Sequence, residues 1–287
     1  MRLAFSTLAC PEWKWEQAVS AARFLGYQGI EWRVIDGALA SSAIPPAACR
    51  RIRSAMDAAG LESCALDSSI QLALPPGDER RAMITEARGM LHLARELGTK
   101  MLRVFTGRSP AELPEPRAVE WVKEGLSAIL PSAAELGIAV ALEVHSFEGR
   151  GKNVNGASDS RMCNRVVSAV ASESLGILWD VGNPYDEGEP LAETWEHVKD
   201  HILYLHMKDM KHLPGGGWQY VLNGEGEIPL AEILGLLRRQ GFDGWLSYEW
   251  EKKWHPELAS AEVALPHYVS AMRALGVVRD ILSEEDP

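Results

Sequence analysis

The sequence predicts an α/β protein built as one (β/α)8 barrel. Two observations predict it. Eight short apolar runs alternate with eight longer segments of helical periodicity along the 287 residues. No linker-like shift in composition interrupts them, so residues 1–287 are expected to form a single domain. A doubly wound sheet shares the alternation, but a count of eight strands favours a closed barrel.

The strand-like runs are LAFST (3–7), GIEWR (29–33), SCALD (63–67), KMLRVF (100–105), IAVALEV (138–144), GILWD (176–180), ILYLHM (202–207) and GWLSYE (244–249). Near-continuous apolar runs of this length suit strands buried on both faces. Helical patterns cover 13–26, 46–60, 78–98, 116–137, 158–172, 191–201, 229–241 and about 258–276. Gly26, Gly60, Gly98, Gly137 and Gly241 close five of them, because glycine accepts the left-handed conformation that ends a helix. Asp78, Pro116 and Ser158 mark helix starts. Connections after strands 2, 3, 5 and 7 are long. The last, KDMKHLPGGGWQYVLNGEGEI, carries Gly215, Gly216 and Gly217 and stands equally as a lid over the catalytic rim or a floppy excursion.

Composition narrows the partners. The formal net charge is -11, which lacks the basic footprint of a nucleic-acid binder. The opening MRLAFSTLAC runs at once into PEWKWEQ and is not a signal peptide, and no run reaches the ~18–20 apolar residues of a membrane span. Cys10, Cys49, Cys64 and Cys163 form no CxxC pair, so reduced thiols in a cytoplasmic protein are expected. A homo-oligomer is allowed.

Four successive runs end on Glu143, Asp180, His206 and Glu249. Strands of a parallel barrel deliver their ends to one rim. Strand alternation puts Ala139, Ala141, Glu143 and His145 on one face, and Tyr204, His206 and Lys208 on another shared face. By the same parity Arg103 and Glu249 point into the same pocket, and Trp32 points away. Asp180 alone reads equally well as a helix cap. Four strand ends in a row are harder to assign to caps, and three buried carboxylates need a counter-charge. A divalent cation supplies it. Three carboxylates and one imidazole suit Mn²⁺, with Mg²⁺, Co²⁺ and Zn²⁺ as alternatives.

The segments MRLAFSTLACPEWKWEQAVSAARFLGYQGIEWR, ALEVHSFEG, LGILWDVGNP, LHMKD, NGEGEIP and GFDGWLSYEWE resemble the sugar-phosphate isomerase/epimerase family, the xylose isomerase-like TIM barrel proteins. The resemblance covers nearly the whole chain. It implies that Glu143, Asp180, His206 and Glu249 bind one divalent metal and that the two glutamates double as acid and base. Epimerase members of the family carry a histidine where this chain has Asn183. The pairs Glu143-x-His145 and His206-x-Lys208 resemble a branch that includes dehydratases of cyclic polyols and dehydroshikimate. That likeness implies substrate-binding or catalytic roles for Arg103, His145 and Lys208. The apurinic endonuclease branch, with several zincs and more histidines, fits poorly.

The chemistry expected is proton abstraction next to a carbonyl, through a metal-stabilised enediolate. Glu143 and Glu249 exchange the proton, giving isomerisation or epimerisation of a sugar, sugar phosphate or keto-polyol. Loss of a β-hydroxyl would instead give dehydration of a substrate such as inosose or dehydroshikimate. A sugar-binding protein without turnover is a third reading, against which the intact ligand set argues. Lys208 is either an electrophile at the carbonyl oxygen or a surface lysine. His145 is either a general acid/base or a hydrogen-bond partner that orients a ligand. Arg103 either binds a substrate anion or makes an ion pair inside the barrel. For Glu31, Arg33 and Asp67, a salt bridge within the barrel is the safer reading. Trp250 and Trp254, just past strand 8, are the aromatic pocket candidates, and Asn183 is a substrate-binding candidate. No nucleotide-binding glycine motif is present.

Overall fold

A computed structural model describes residues 1–107, 115–145 and 159–277. Eight parallel strands close into a barrel in chain order. They are β1 (Arg2–Ser6), β2 (Gly29–Trp32), β3 (Glu62–Gln71), β4 (Met101–Phe105), β5 (Ala139–Glu143), β6 (Leu175–Asp180), β7 (Ile202–Met207) and β8 (Trp245–Tyr248). Strand β8 pairs back onto β1, with Ala4 opposite Ser247. The helices are α1 (Trp15–Leu25), α2 (Pro46–Ala59), α3 (Asp78–Leu97), α4 (Glu115–Leu136), α5 (Ser160–Val170), α6 (Leu191–Val198), α7 (Leu230–Arg239) and α8 (Ala261–Ala274). Closure removes the sheet edges that an open sheet would have to protect.

Alternation along each strand divides the buried residues into two sets. Phe5, Ile30, Leu66, Leu102, Val140 and Leu205 belong to the large core shared with the helices. Ala4, Ala65, Ala141, Leu178, Tyr204 and Trp245 form a second, smaller core inside the barrel. Small residues from several strands leave room there for Tyr204 and Trp245. At Gly29 an added Cβ would lie 2.7 Å from the Trp245 ring, so β2 passes this layer only as glycine. Above the layer the inward positions become polar: Glu31, Asp67, Arg103, Glu143, Asp180, His206 and Glu249 are all buried.

Two details differ from the sequence expectations, at the start of α5 and after β7, and one, at α3, agrees. Helix α5 is capped by Asp159, whose side chain accepts from the Met162 N–H at 2.7 Å; Ser158 lies outside the described residues. Asp78 opens α3 as expected, as its first helical residue behind Gly77, where its charge faces the positive end of the helix. The connection after β7 carries regular structure of its own. It forms an antiparallel hairpin, Asp209–His212 against Trp218–Val221, turning through Gly216 and Gly217 at φ 91° and 81°.

The NGEGEIP segment that follows the hairpin wraps one carboxylate. Buried Asp209 accepts from the N–H groups of Met210, Gly224, Gly226 and Ile228 at 2.8–3.2 Å. Those bonds tie the hairpin's base to the barrel rim. The long connection after β5 falls largely in residues 146–158, outside the described residues. All four cysteines are free and buried. Among the described residues, no helix is long and apolar enough to cross a membrane.

Candidate active site

The rim at the C-terminal ends of β5 to β8 collects Glu143, Asp180, His206 and Glu249. One ligand atom from each lies within 4.8 Å of all the others. His206 Nδ1 is 3.8 Å from Glu143 Oε1, 3.8 Å from Asp180 Oδ2 and 3.2 Å from Glu249 Oε2. Bonds of about 2.1 Å to a six-coordinate cation would put neighbouring ligands roughly 3.0 Å apart and opposite ones about 4.2 Å apart. The donor set therefore has the spacing for one ion after small side-chain adjustments. His206 Nδ1 and Asp180 Oδ2 are buried and both face this point, where the only positive charge in contact with Asp180 Oδ2 among the described residues is the Lys208 ammonium at 2.8 Å. The residues present fit a divalent cation.

The two oxygens of Asp180 divide two tasks. Oδ1 accepts from the N–H groups of Gly182 and Asn183 at 2.8 and 2.9 Å, capping the short helix Gly182–Asp186. Oδ2 faces the cluster. The cap reading and the ligand reading of this residue are thus compatible, because capping consumes one oxygen only.

His206 is held from behind. Its Nε2 lies 2.9 Å from Glu31 Oε1, and Glu31 Oε2 accepts from Ser247 Oγ at 2.6 Å. Burial would raise Glu31, but His206 beside it and the hydrogen bonds to both oxygens hold it below the ordinary carboxylate range. An ionised Glu31 accepts only, so Nε2 is the donor and Nδ1 is the nitrogen left for the cluster.

Arg103 lies within 3.2 Å of Asp67 Oδ2 and 3.1 Å of Glu143 Oε2. Tyr204 donates to the other Asp67 oxygen at 3.2 Å. Arg103 is therefore an internal ion-pair partner in this geometry, as well as part of the cavity wall. Burial pushes Asp67 up to about 7, with Arg103 pulling the other way and Glu31 adding to the rise.

Lys208 is buried, not a surface lysine. Its ammonium contacts Glu249 Oε2 at 2.5 Å, Asp180 Oδ2 at 2.8 Å and Glu251 Oε1 at 3.1 Å. Burial would lower Lys208, but those three carboxylates hold it charged, well above its ordinary value. Gly182 lets the lysine stem pass, since a Cβ there would lie 2.8 Å from Lys208 Cδ. Glu249 is held well below the usual carboxylate range, because His206 and Lys208 outweigh the effect of burial. Glu143 is pushed up to about 8: burial raises it, Arg103 and His206 oppose, and Glu249 and Asp180 reinforce the rise. His145 is depressed to about 4 by burial and by Arg103, and is neutral at physiological pH. Its ring meets Phe105 edge-on at 4.8 Å.

A cavity of about 260 Å³ opens over these groups. Arg33, Arg103, Glu143, His145, Asn183 and Glu249 are among its lining residues. Asn183 is fixed there by a 3.2 Å bond from its Nδ2 to the Val144 carbonyl. Trp254 lines the same cavity and is 49% exposed. Trp250, expected at the substrate pocket, does not line it. One residue past Glu249, it falls on the opposite side of the strand line and is 2% exposed. Its ring stacks on Tyr248, and its Nε1 donates to the Ala259 carbonyl.

Glu251 and Tyr220 are among the cavity residues not singled out from the sequence. Glu251 shares the parity of Glu249, so its signal was present in YEWE. Tyr220 reaches the cavity only because the hairpin folds back over the rim, for which the sequence carries no local signal.

The family model described as "Xylose isomerase-like TIM barrel" matches residues 19–268. Fructoselysine 3-epimerase of Escherichia coli O157:H7 is 26% identical over 178 residues, which are 60% of this chain and 61% of that protein. The match thus spans less than two thirds of that relative's length. Inosose dehydratase of Lacticaseibacillus casei is 22% identical over 263 residues, covering 83% of this chain and 82% of the relative. The crystal structure of IolI protein with a bound zinc atom superposes with a TM-score of 0.80 at 18% identity, covering 96% of this chain and 98% of that one.

Proposed function

We propose that this chain, which belongs to the xylose isomerase-like TIM barrel family, is a divalent-metal-dependent isomerase or epimerase of a sugar or related keto-polyol. The carrying observation is the set of four ligand atoms within 4.8 Å, delivered by consecutive strand ends with a glutamate at each end of the arc. Mn²⁺ is the proposed ion. A divalent cation held there supplies positive charge for two adjacent substrate oxygens and for the negative charge they gain when the neighbouring carbon loses its proton.

The chain's own residues divide the remaining work. Glu249, held ionised, accepts the carbon-bound proton at a carboxylate oxygen. Glu143 returns a proton from the other end of the arc. Lys208 offers its ammonium as a donor toward a substrate oxygen, and neutral His145 and Asn183 orient hydroxyls in the cavity.

One observation favours a second reading. The charged Lys208 ammonium lies against Glu249. An acid beside the base suits loss of a β-hydroxyl, and the inosose dehydratase relative is compatible with that outcome. Incubation of the Mn²⁺-loaded protein with ketoses and inososes in D₂O separates the two. Deuterium uptake without water loss supports isomerisation or epimerisation, and an enone absorbance supports dehydration. Absence of both across the panel, with Glu249→Gln indistinguishable from wild type, would overturn an enzymatic role.

A further inference from the structure

The inner cavity does not end at the reacting groups. Asp186, Met210, Tyr220 and His255 line both it and an outer groove of about 800 Å³ beneath the hairpin. The inner cavity, about 260 Å³, has room for a single small polyol and falls just below the ~300–1,000 Å³ range of ligand sites. The outer groove falls well inside that range. We propose that the groove binds a second part of the substrate, so that the reacting sugar or keto-polyol carries an appended, largely apolar group bearing an ammonium. This rests on reading the inner cavity as the reacting site.

The lining sets the chemistry. Trp218 and Tyr220 present aromatic surface, and Leu213, Leu222 and Leu258 add aliphatic surface. Leu213 stands 39% exposed at the groove, and Trp254 49% exposed at the inner cavity. An apolar ligand arm crossing from one cavity to the other would cover both. The charged lining residues are Asp186, Glu225 and Glu257, and among the described residues no lysine or arginine lines the groove. Lys252 is turned instead to the carbonyls of Pro256 and Leu258. A phosphate would meet carboxylates without a matching cation. An ammonium finds carboxylates at the rim and aromatic faces beside it. Trp218 is fixed in place by Tyr185, edge-on at 5.5 Å, and by the His212 ring at 3.6 Å, so the aromatic wall is built before a ligand arrives.

The test uses the full chain loaded with Mn²⁺ and three probes. They are a free ketohexose, its terminal phosphate ester, and the same ketohexose joined through nitrogen to a short alkyl chain ending in an ammonium. Carbon-bound deuterium uptake in D₂O and ligand-induced thermal shift are read for each. The conjugate should be exchanged with a kcat/KM at least about tenfold above the free sugar, expressed mainly in KM. Trp218→Ala should bring the conjugate-to-free ratio close to one. A wild-type ratio of one, or a preference for the phosphate ester, overturns the inference and leaves the proposed reaction standing. A Trp218-dependent thermal shift by the conjugate with no exchange of any probe upholds the groove and removes the proposed reaction. No shift and no exchange with any probe overturns the inference.

Discussion

Glu31→Gln is the sharpest test of how the cluster is held. The substitution keeps shape and volume and removes one buried charge. In the wild type both oxygens work, Oε1 for His206 Nε2 at 2.9 Å and Oε2 for Ser247 Oγ at 2.6 Å. An amide retains one acceptor. If its oxygen faces His206, its NH₂ faces the Ser247 hydroxyl, which is able to accept. The bond to His206 then survives as a neutral one. Hydrogen bonds to charged groups contribute about 1.5–3 kcal/mol and neutral ones about 0.5–1.5. The imidazole therefore loses roughly 1–2 kcal/mol of orienting and polarising interaction, which corresponds to about five- to thirty-fold in affinity. Loss of such a partner behind a ligating histidine typically weakens metal binding about 10–100-fold, so the two routes agree. The assay is calorimetric titration of chelator-treated protein with Mn²⁺, with circular dichroism to establish that the variant is folded. A folded Glu31→Gln protein with a wild-type Kd would refute the argument that Glu31 sets the donor nitrogen of His206.

Three further outcomes are expected. Glu249→Gln should lower deuterium exchange about 10²–10⁴-fold, the range for a lost general base, and quantitative mass spectrometry reads this directly. Cation affinity should rise with pH. The carboxylates around His206 raise it well above the ordinary 6.5, burial opposing, so a proton at Nδ1 is present below its folded pKa and must leave when a cation binds. Titrations at several pH values, in buffers of different ionisation enthalpy, should show weaker binding at low pH and proton release on binding, from His206 Nδ1 and, below about pH 8, from the Glu143 carboxyl as well; a pH-independent Kd contradicts this. Asp209→Asn should destabilise the protein by about 1–3 kcal/mol, seen as a lower urea midpoint, because an amide cannot accept from four backbone N–H groups with both its heteroatoms.

Much of the barrel is legible residue by residue. The eight apolar runs predict the eight strands to within a few residues at each end, because strand formation and face alternation depend on near neighbours. Gly26, Gly60 and Gly98 close their helices with positive φ, as a missing Cβ permits. The inward parity of Glu143, Asp180, His206 and Glu249 follows from the same alternation. Trp250 was harder. Its position after β8 suggested the pocket, but the same parity that turns Glu249 inward turns it to the core around Tyr248 and to the outer groove. The hairpin after β7 was unreadable as structure because three glycines and one proline obscure strand periodicity, and its pairing is set by the wrapped carboxylate of Asp209.

The sequence by itself determined a parallel barrel whose strand ends carry carboxylates and one imidazole. Chain direction and a period of two are local properties, so they can be read without knowing which strand lies beside which. Only the tertiary structure decided how those groups share their atoms. It set Glu31 behind His206, gave Lys208 three carboxylates, split Asp180 between a cap and the cluster, and laid Tyr220 over the rim. Each depends on contacts between residues far apart in the chain. The charge state of each group depends on burial that exists only once the barrel has closed.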